Sequence, residues 1–223
     1  MSLSALQAIK QAACGASSLC LPVGYPPTVL LRPASTTAGR LNAKDVKVLT
    51  EWRNRYVTSF LTEFQATEAR TAAWLTHSVG PDGTRILFMV DGISDPITIG
   101  YMGLAFIDWD RHYGEADAIV RGLPAERGVM RQALVALLTW AKETLGLSSF
   151  GVRVRSDNPA ISFYAALGFH TVRRVALRRC KERDSGMVVW SEDSGAPIEE
   201  PFLVHMKLAS GAIDTTPSRE VHQ

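Results

Sequence analysis

The chain has 223 residues, of which 46% are hydrophobic and 21% are charged, and its formal net charge is +2. This length predicts one domain with a single sizeable core, and the small net charge does not by itself indicate a nucleic-acid or anionic-membrane partner. No apolar run approaches the ~20 residues that cross a bilayer and no signal peptide is recognised, so no membrane association is expected and the cytoplasm is the expected location.

The cysteines predict neither a metal site nor a disulfide framework. Cys14, Cys20 and Cys180 lack metal-ligand spacing, and their number is odd. Free thiols are expected, with pairing of Cys14 and Cys20 as the alternative.

Residues 1–27 form a leader in front of the predicted domain. Residues 2–20 predict a short Ala-rich helix, and residues 21–27, with three prolines, predict an extended linker. The leader could cap the domain, form a homodimer contact or be disordered, and the sequence does not choose between these roles.

The first half of the domain combines strands with two helices. Periodicity predicts a strand, two helices and two antiparallel strands over residues 28–33, 46–53, 67–75, 85–90 and 97–106. Asn42 or Asp45 can cap the first helix, which carries Trp52 on its apolar face. Arg53 follows, and it could hold an acidic group of a substrate or pair with Glu51 or Asp45.

A phosphate-binding turn is predicted at residues 121–130. Residues 115–120 have the alternation of a strand, and residues 127–145 carry apolar side chains at helical spacing. A short turn from a strand into a helix leaves the first-turn N–H groups unpaired at the positive end of the helix dipole. Such a turn attracts phosphate, and Arg127 and Arg131 make a diphosphate the expected occupant.

The second half of the domain repeats the alternation of strand and helix. Residues 150–155 predict a strand, Asn158 and the residues before it supply an N-cap, and Gly168 ends a short helix before a new strand at about Phe169. An arginine-rich strand, a hairpin excursion, a closing strand and a frayed tail follow, over residues 171–179, 181–200, 201–208 and 210–223.

Two stretches resemble signatures of the GNAT superfamily of N-acetyltransferases. Residues 158–169, NPAISFYAALGF, closely resemble its coenzyme-A-binding helix signature. Residues 121–130 resemble its pyrophosphate loop: Gly128 matches, whereas Ala125 stands where Arg or Gln is usual and Met130 replaces a second small residue. The order of the elements around both stretches is the one that this superfamily requires.

The resemblance covers about residues 28–208 and implies a mixed α/β fold, the GNAT acyl-CoA N-acyltransferase fold, whose mostly antiparallel central sheet is flanked by helices. One acetyltransferase domain is expected at residues 28–209, between the leader and the tail. Acetyl-CoA (coenzyme A) is the implied cofactor, with direct acetyl transfer to an amine and neither a metal nor a covalent intermediate. The residues that the resemblance assigns to the coenzyme are Ile119, Val120, Arg121, Arg127, Gly128, Val129, Met130, Arg131, Asn158 and Phe163.

Catalytic roles also follow from the resemblance. Tyr164 is the expected acid, because the matching tyrosine faces the coenzyme sulfur and can protonate the leaving thiolate; the alternative is a buried ring whose hydroxyl bonds to the backbone. Glu115 is the expected base, because a Glu near this point in the family draws the amine proton through water. Asp117 lies on the same face of the strand, and Asp108 and His112 on the preceding turn are rivals.

The acceptor is predicted from the run Trp52-Arg53-Asn54, which resembles a run in the branch that acetylates amino sugars and protein amino termini. Together with the polar turn before the central strand, it favours a small polar amine such as an amino-sugar nucleotide, followed by a protein amino terminus. The predicted substrate-binding residues are Arg53, Asn54, Asp108 and His112.

Two other functions stay open. A nucleic-acid-modifying enzyme on the same fold would use the arginine cluster of residues 173–183 as its phosphate footprint, although such a cluster is more typical of the solvated face of an edge strand. A non-catalytic module that keeps the fold for binding is the other, and Met130 in the phosphate loop is its main support.

Overall fold

The computed structural model of the protein describes residues 3–13, 20–95, 97–183 and 186–213, which form ten strands and five α-helices. The strands are β1 (Leu21–Val23), β2 (Val29–Pro33), β3 (Thr62–Glu63), β4 (Ile86–Gly92), β5 (Thr98–Asp108), β6 (Tyr113–Arg121), β7 (Ser149–Arg155), β8 (Phe169–Lys181), β9 (Val188–Glu192) and β10 (Phe202–Leu208). The helices are α1 (Leu3–Ala12), α2 (Ala43–Arg55), α3 (Glu68–Trp74), α4 (Val129–Leu145) and α5 (Ala160–Ala166). A 3₁₀ turn (Val57–Ser59) follows α2, and a π-helical turn (Leu75–Val79) continues α3.

The strands form one sheet in the order β1-β2-β4-β5-β6-β7-β10-β8-β9-β3. Neighbouring strands are antiparallel except β6 and β7, which run parallel. The predicted fold class, a mixed and mostly antiparallel sheet flanked by helices, is therefore confirmed.

Two apolar cores lie on opposite faces of the sheet. Side chains alternate along β4, so that Phe88 belongs to one core and Leu87 and Met89 belong to the other. Helices α1, α4 and α5 contribute to the Phe88 core, whereas α2 contributes Trp52 to the second core. Helices α2 and α3 lie on the face of the sheet that carries the Trp52 core, and both also border the candidate active site.

Helix α4 follows from its apolar spacing and from a glycine at each end. Its buried side chains include Leu134, Leu137 and Leu138, none of which is more than 1% exposed. Gly128 (φ 92°) precedes the helix and Gly146 (φ 73°) ends it, both in the left-handed conformation that side chains disfavour. The helix begins two residues later than predicted because Gly128 interrupts the helical backbone.

Helix α2 is capped by Asn42, whose Oδ1 accepts hydrogen bonds from two first-turn amides at 2.9 and 3.4 Å. Asp45, the other predicted cap, instead forms an ion pair with Arg32 at 2.9 Å. Trp52 is 1% exposed, as predicted for a core residue. A side chain at Gly122 would overlap the Trp52 ring, so the glycine lets the loop after β6 pack directly on α2.

The leader packs on the domain through α1. Leu6 is fully buried in the Phe88 core. Lys10 Nζ donates hydrogen bonds to the carbonyl oxygens of Val79 (2.6 Å), Gly80 (3.2 Å) and Asp82 (2.6 Å), and burial lowers its pKa to about 8. Of the three possible roles of the leader, α1 therefore has that of a cap.

Three predictions of secondary structure are wrong. Residues 21–23, predicted as linker, form β1 and pair with β2. Strand β6 begins at Tyr113 and not at Glu115, because the two earlier residues already pair with β5 or β7. Strand β8 is not an edge strand, since β10 pairs with one of its sides and β9 with the other.

Some predictions fall partly outside the described residues, namely those for Cys14 and for residues 214–223 of the tail. The start of the tail is described, and Ala212 and Ile213 pack on the Phe88 core. Cys20 and Cys180 are free thiols. In the part of the chain that the structure describes, no helix is long and apolar enough to cross a membrane, and no group of three or more His, Cys, Asp and Glu could hold a metal ion.

Candidate active site

Strands β6 and β7 separate part of the way along their length. Their parallel ladder consists of three pairs, Tyr113–Ser149, Gly114–Phe150 and Glu115–Gly151. Residues 117–121 of β6 pair only with β5 in the described sheet, so the edge of this segment that faces away from β5 keeps N–H and C=O groups for a ligand. Ile119 and Val120, which were predicted to bind the coenzyme arm, lie in this segment.

A cavity of about 550 Å³, termed the larger cavity, opens on the face of the sheet that carries α2 and α3. It is bounded by α2, the segment between α2 and α3, α3 with its π-helical turn, and the separated part of β6. Its aromatic walls are Phe60, Phe64, Trp74 and Tyr101, and its ionisable side chains are Arg53, Arg70, His77, Tyr101 and Asp117. A small organic molecule fits such a volume.

A bulge brings β6 to this cavity. Ala118 and Ile119 lie opposite a single residue of β5, and Ala118 has φ 52°, a left-handed value that is uncommon for a residue with a side chain. Both Asp117 and Ala118 line the larger cavity. The bulge therefore lies where β6 leaves β7 and reaches the cavity.

The two carboxylates of β6 have different surroundings. Glu115 accepts hydrogen bonds from Arg153 Nε at 2.7 Å and from the Tyr113 hydroxyl at 3.0 Å, and it is absent from the lining of the larger cavity. Asp117 lines that cavity and has no ion-pair partner within salt-bridge distance among the described residues. Burial raises the pKa of Asp117, and the positive charge of Arg85 partly opposes this effect. Asp117, and not the predicted Glu115, therefore has the surroundings of a general base.

Tyr164 lies on α5 in the Phe88 core and does not line the larger cavity. It is 7% exposed, and its ring makes edge contacts with Phe163 and Phe169. Burial raises the pKa of its phenol, and the charge of Asp117 adds to the rise. The hydroxyl makes no hydrogen bond to any described residue, so the alternative of a backbone-bonded buried tyrosine finds no support there.

The loop between β6 and α4 meets the requirements for a diphosphate. Gly128 has open space around its Cα. The first-turn amides of α4 have no hydrogen-bond partner within the helix, although Val129 N donates to Glu126 O of the preceding turn at 3.3 Å. Arg121, Arg127 and Arg131 are exposed, and within the described ranges none of them forms an ion pair. The positive end of the helix dipole and exposed arginines thus occur together in this loop and the first turn of α4, which is compatible with the predicted coenzyme site.

Met130 does not obstruct this loop. Its Sδ and Cε lie against Gly100 of β5, each 3.3 Å from the position of an added Cβ, and the side chain packs on the Phe88 core. The residue that replaces a second small residue of the signature thus points towards the sheet. The main support for a non-catalytic module is thereby weakened.

A smaller cavity of about 330 Å³ adjoins the loop. Arg55 Nη1 donates to the carbonyl oxygen of Gly122 at 2.7 Å, and the Tyr56 hydroxyl donates to that of Arg121 at 3.1 Å. The end of α2 therefore fixes the start of the phosphate loop, a contact that no sequence pattern predicts.

Asn158 joins the two halves of the site. Its Oδ1 accepts a hydrogen bond from Ala160 N at 2.9 Å at the start of α5, as predicted for a cap, and its Nδ2 donates to Ser59 O at 3.2 Å. Phe163 is half-buried and packs on the Phe88 core. The predicted coenzyme helix is thus tied to the turn that follows α2.

Arg53 lines the larger cavity without a carboxylate partner. Its Nη2 donates to the Thr62 carbonyl oxygen and, at 2.9 Å, to Thr62 Oγ1, and its guanidinium lies 3.8 Å from the ring centre of Phe60 and 4.7 Å from that of Phe64. Nη1 is buried and makes no hydrogen bond to any described residue. The predicted pairing with Glu51 or Asp45 does not occur, and burial lowers the pKa of Arg53 to about 10.

The other predicted substrate residues have structural partners. Asn54 Nδ2 donates to Ala66 O at 3.0 Å and its Oδ1 accepts from Ala66 N at 2.7 Å, so its amide holds the segment before α3. Asp108 accepts a hydrogen bond from Arg111 N, and His112 Nδ1 lies 3.0 Å from Gly146 O. Neither Asp108 nor His112 lines either cavity.

The arginine cluster of residues 173–183 lies on β8 and its hairpin with β9, and none of it lines either cavity. Arg173 pairs with Glu192 at 3.2 Å, and Arg179 lies over the ring of Trp190. Side-chain partners of this kind account for part of the cluster without a nucleic acid.

The sequence did not identify Phe60, Phe64, Tyr101 or Arg70 as cavity residues, whereas Trp74 lies on the helix predicted at residues 67–75, which was expected to complete the substrate wall. Phe60 and Phe64 lie in the segment between α2 and α3, and only the folded chain brings them to the same cavity as Trp74. Asp117 was noticed only as a neighbour of Glu115.

Comparisons with known proteins show the family and the fold of the chain. A sequence model of the acetyltransferase (GNAT) domain matches residues 37–170. No curated protein sequence matches the chain. The structure of spermidine N-acetyltransferase from Vibrio cholerae, in complex with CoA and spermine, is similar with a TM-score of 0.62 and 16% identity, covering 83% of this chain and 98% of that one.

Two further solved structures share the fold. Apo FdhC, a nucleotide-linked sugar GNAT, has a TM-score of 0.61 and 12% identity, covering 88% of this chain and 93% of that chain. A GNAT-family acetyltransferase from Bacillus anthracis has a TM-score of 0.60 and 14% identity, with coverages of 85% and 98%.

Proposed function

The chain belongs to the GNAT family of acetyltransferases, and from this premise we propose that it transfers the acetyl group of acetyl-CoA directly to a primary amine bound in the larger cavity. The observation that supports the proposal is the segment of β6 that lacks a β7 partner, where Asp117 borders the larger cavity and the backbone of Ile119 and Val120 is free along one edge. Acetyl-CoA supplies an activated thioester, and the chain supplies binding, orientation and proton transfer.

Amide formation requires a neutral amine, a polarised carbonyl group and a protonated leaving thiolate. The amine nitrogen bonds to the carbonyl carbon, the carbon–sulfur bond breaks, and Asp117 accepts the proton that the nitrogen loses. Tyr164 gives its phenolic proton to the sulfur. Backbone N–H groups near Val120 are placed to polarise the carbonyl oxygen, and positioning can lower the barrier by roughly 7–11 kcal/mol.

Asp117 as a general base and Tyr164 as a general acid need different pKa values, and the surroundings of each residue suit its role. A general base acts best with a pKa near the working pH, and burial moves the pKa of Asp117 upward towards it. A general acid must keep its proton at neutral pH, and the raised pKa of Tyr164 ensures that it does. Adjacent groups with such roles are typical of acid–base sites.

The acceptor is a small polar amine, of the amino-sugar nucleotide type, rather than a protein amino terminus. Its binding site is a bounded cavity of about 550 Å³, which suits a small molecule. Two proteins of the same fold are described by their names as acting on small molecules, one on spermidine and one on a nucleotide-linked sugar.

Calorimetric titration with acetyl-CoA tests the coenzyme half of the proposal. We expect micromolar binding by the wild-type protein and its loss in Gly128→Asp, because a carboxylate at the start of α4 repels phosphate. Gly146→Asp is the matched control, since Gly146 lies at the other end of the same helix, also has a positive φ and also has open space around it.

The result that supports the proposal is retained binding in Gly146→Asp together with loss in Gly128→Asp, followed by amine-dependent release of the CoA thiol. Equal binding by all three proteins would place the coenzyme elsewhere. No binding by the wild-type protein would overturn acetyl transfer from acetyl-CoA as its activity.

A further inference from the structure

We infer, building on the acetyl transfer proposed above, that the acceptor carries an anionic group at the end away from its reacting amine, and that Arg53 recognises that group. The starting observation is a difference between two partly buried arginines. Arg32 is held by two carboxylates, Asp45 at 2.9 Å and Asp91 at 2.6 Å. Arg53 has no carboxylate within salt-bridge distance in the described chain, although it is partly buried.

A buried cation without a counter-ion is costly unless a ligand supplies the opposite charge. With its pKa lowered only to about 10, Arg53 is still charged at neutral pH. The rings of Phe60 and Phe64 and the hydroxyl of Thr62 fix the plane of its guanidinium. A fixed, charged fork is suited to carboxylate or phosphate oxygens, because little rotamer entropy remains to be lost on binding.

The charges around the larger cavity oppose a polycationic acceptor. Arg70 adds a second guanidinium, 3.8 Å from the ring centre of Phe64, and Asp117 is the only acidic side chain in the lining. Since Asp117 is needed for one amine, a polyamine would place its other ammonium groups beside two guanidinium groups. Like charges at such distances disfavour binding.

Arg53, Tyr101 and Asp117 line the same cavity, and the charges of Arg53 and Asp117 both act on the buried Tyr101 phenol. An amine at Asp117 and an anionic group at Arg53 can therefore belong to one molecule bound in this cavity. Phe60, Phe64 and Trp74 also line it, so aromatic rings are available to pack against the part of the acceptor between the two groups.

Both a carboxylate and a phosphate present anionic oxygens that the Arg53 guanidinium can bind, so the experiment includes one probe of each kind. The carboxylate probe is para-(aminomethyl)benzoate, with its methyl ester as the uncharged match. The phosphate probe is a uridine-diphosphate amino sugar, and spermidine is the polycationic comparison. Each probe is titrated calorimetrically into the protein saturated with CoA, and its acetylation is followed separately by release of the CoA thiol.

We expect the benzoate, the nucleotide sugar or both to bind about tenfold to hundredfold more tightly than the ester and spermidine, the range for a hydrogen bond to a charged group. In Arg53→Met the preference for benzoate over ester should fall to about one, and in Arg53→Lys it should be partly kept. The preference is a ratio within one protein, so a general loss of stability does not change it.

The inference would be overturned if neither anionic probe binds more tightly than the ester and spermidine, or if the preference for an anionic probe survives Arg53→Met. The two proposals fail differently. If an anionic probe binds through Arg53 but is not acetylated, the inference stands and acetyl transfer does not. If ester and benzoate are acetylated equally well, acetyl transfer stands and the inference does not.

Discussion

The two halves of strand β6 differ in how far the protein satisfies its own groups. In the first half, residues 113–115, the backbone pairs with β7 and Glu115 is held by Arg153 and Tyr113. In the second half, residues 117–121, the backbone no longer pairs with β7, and Asp117 has no ion-pair partner in the described structure. In the mechanism that we propose, β6 is structural over its first half and reactive over its second, with the bulge at Ala118 in the second half beside Asp117.

The hydrogen-bond and ion-pair partners of Glu115 and Asp117 distinguish these two candidate bases. Glu115 and Asp117 are two residues apart and belong to the same strand face, so alternation alone cannot separate them. Their partners do separate them, because a carboxylate that already accepts a strong ion pair is a poor base. Substitutions along β6 and at Tyr164 test that distinction, and their expected effects differ in size.

Asp117→Asn should lower kcat/KM by about a thousandfold, within the usual range for removal of a general base. The amide is nearly the same size, so binding of acetyl-CoA should be unchanged. Steady-state kinetics with one acceptor measures the loss. A kcat/KM within threefold or so of the wild-type value would show that the second half of β6 is not the reactive one.

Tyr164→Phe should lower kcat by about a hundredfold, the low end of the range for a general acid, because a thiolate is already a fair leaving group. The phenyl ring keeps the contacts with Phe163 and Phe169, so the melting temperature should change little. If an activated thioester with a more acidic thiol restores the rate, the acid role is supported. An unchanged kcat with acetyl-CoA would remove Tyr164 from the mechanism.

Glu115→Gln should destabilise the protein by about 2 kcal/mol, because it leaves the Arg153 guanidinium without its 2.7 Å carboxylate partner. Denaturant unfolding measures this change. The residual activity of the folded variant should stay within about tenfold of wild type. A thousandfold loss of activity without a loss of stability would reverse the roles of the two halves of β6.

Asp117→Asn should stabilise the protein by about 1 kcal/mol at neutral pH, a gain typical of replacing a strained active-site group. The folded-state pKa of Asp117 is raised, so the folded protein binds more protons than the unfolded chain between the two pKa values, and wild-type stability falls as pH rises through that window. The gain should therefore vanish at acidic pH, below the ordinary pKa of an aspartate. Thermal unfolding at several pH values checks this, and a constant difference would contradict it.

The loop and the helix that we assign to the coenzyme could be predicted as structure from the sequence, because their signals are local. Gly128 needs its left-handed φ directly before α4, and Asn158 Oδ1 accepts a hydrogen bond from Ala160 N at the start of α5. The cavity that we assign to the acceptor could be predicted only through Arg53, since Phe64 and Asp117 come from distant parts of the chain that meet only in the folded sheet.

Two interpretations depend on partners that are distant in the chain. The Arg153 partner of Glu115 is 38 residues away in the chain, so no local pattern shows that the carboxylate is already paired. Strand β8 resembles an edge strand because it carries four arginines, but the β8–β9 hairpin supplies a further neighbour from residues that are polar and turn-rich. Long-range partners decide both cases.

The most direct test of the reactive half of β6 is the pH dependence of kcat/KM for the wild-type protein, Asp117→Asn and Glu115→Gln with one acceptor. Deprotonation of the amine itself contributes the same limb to all three profiles. We predict an additional acidic limb, above the ordinary pKa of an aspartate, that the wild-type and Glu115→Gln proteins share and that Asp117→Asn lacks. If the limb persists in Asp117→Asn and disappears in Glu115→Gln, the base is Glu115 and the reactive half of β6 is the first, not the second.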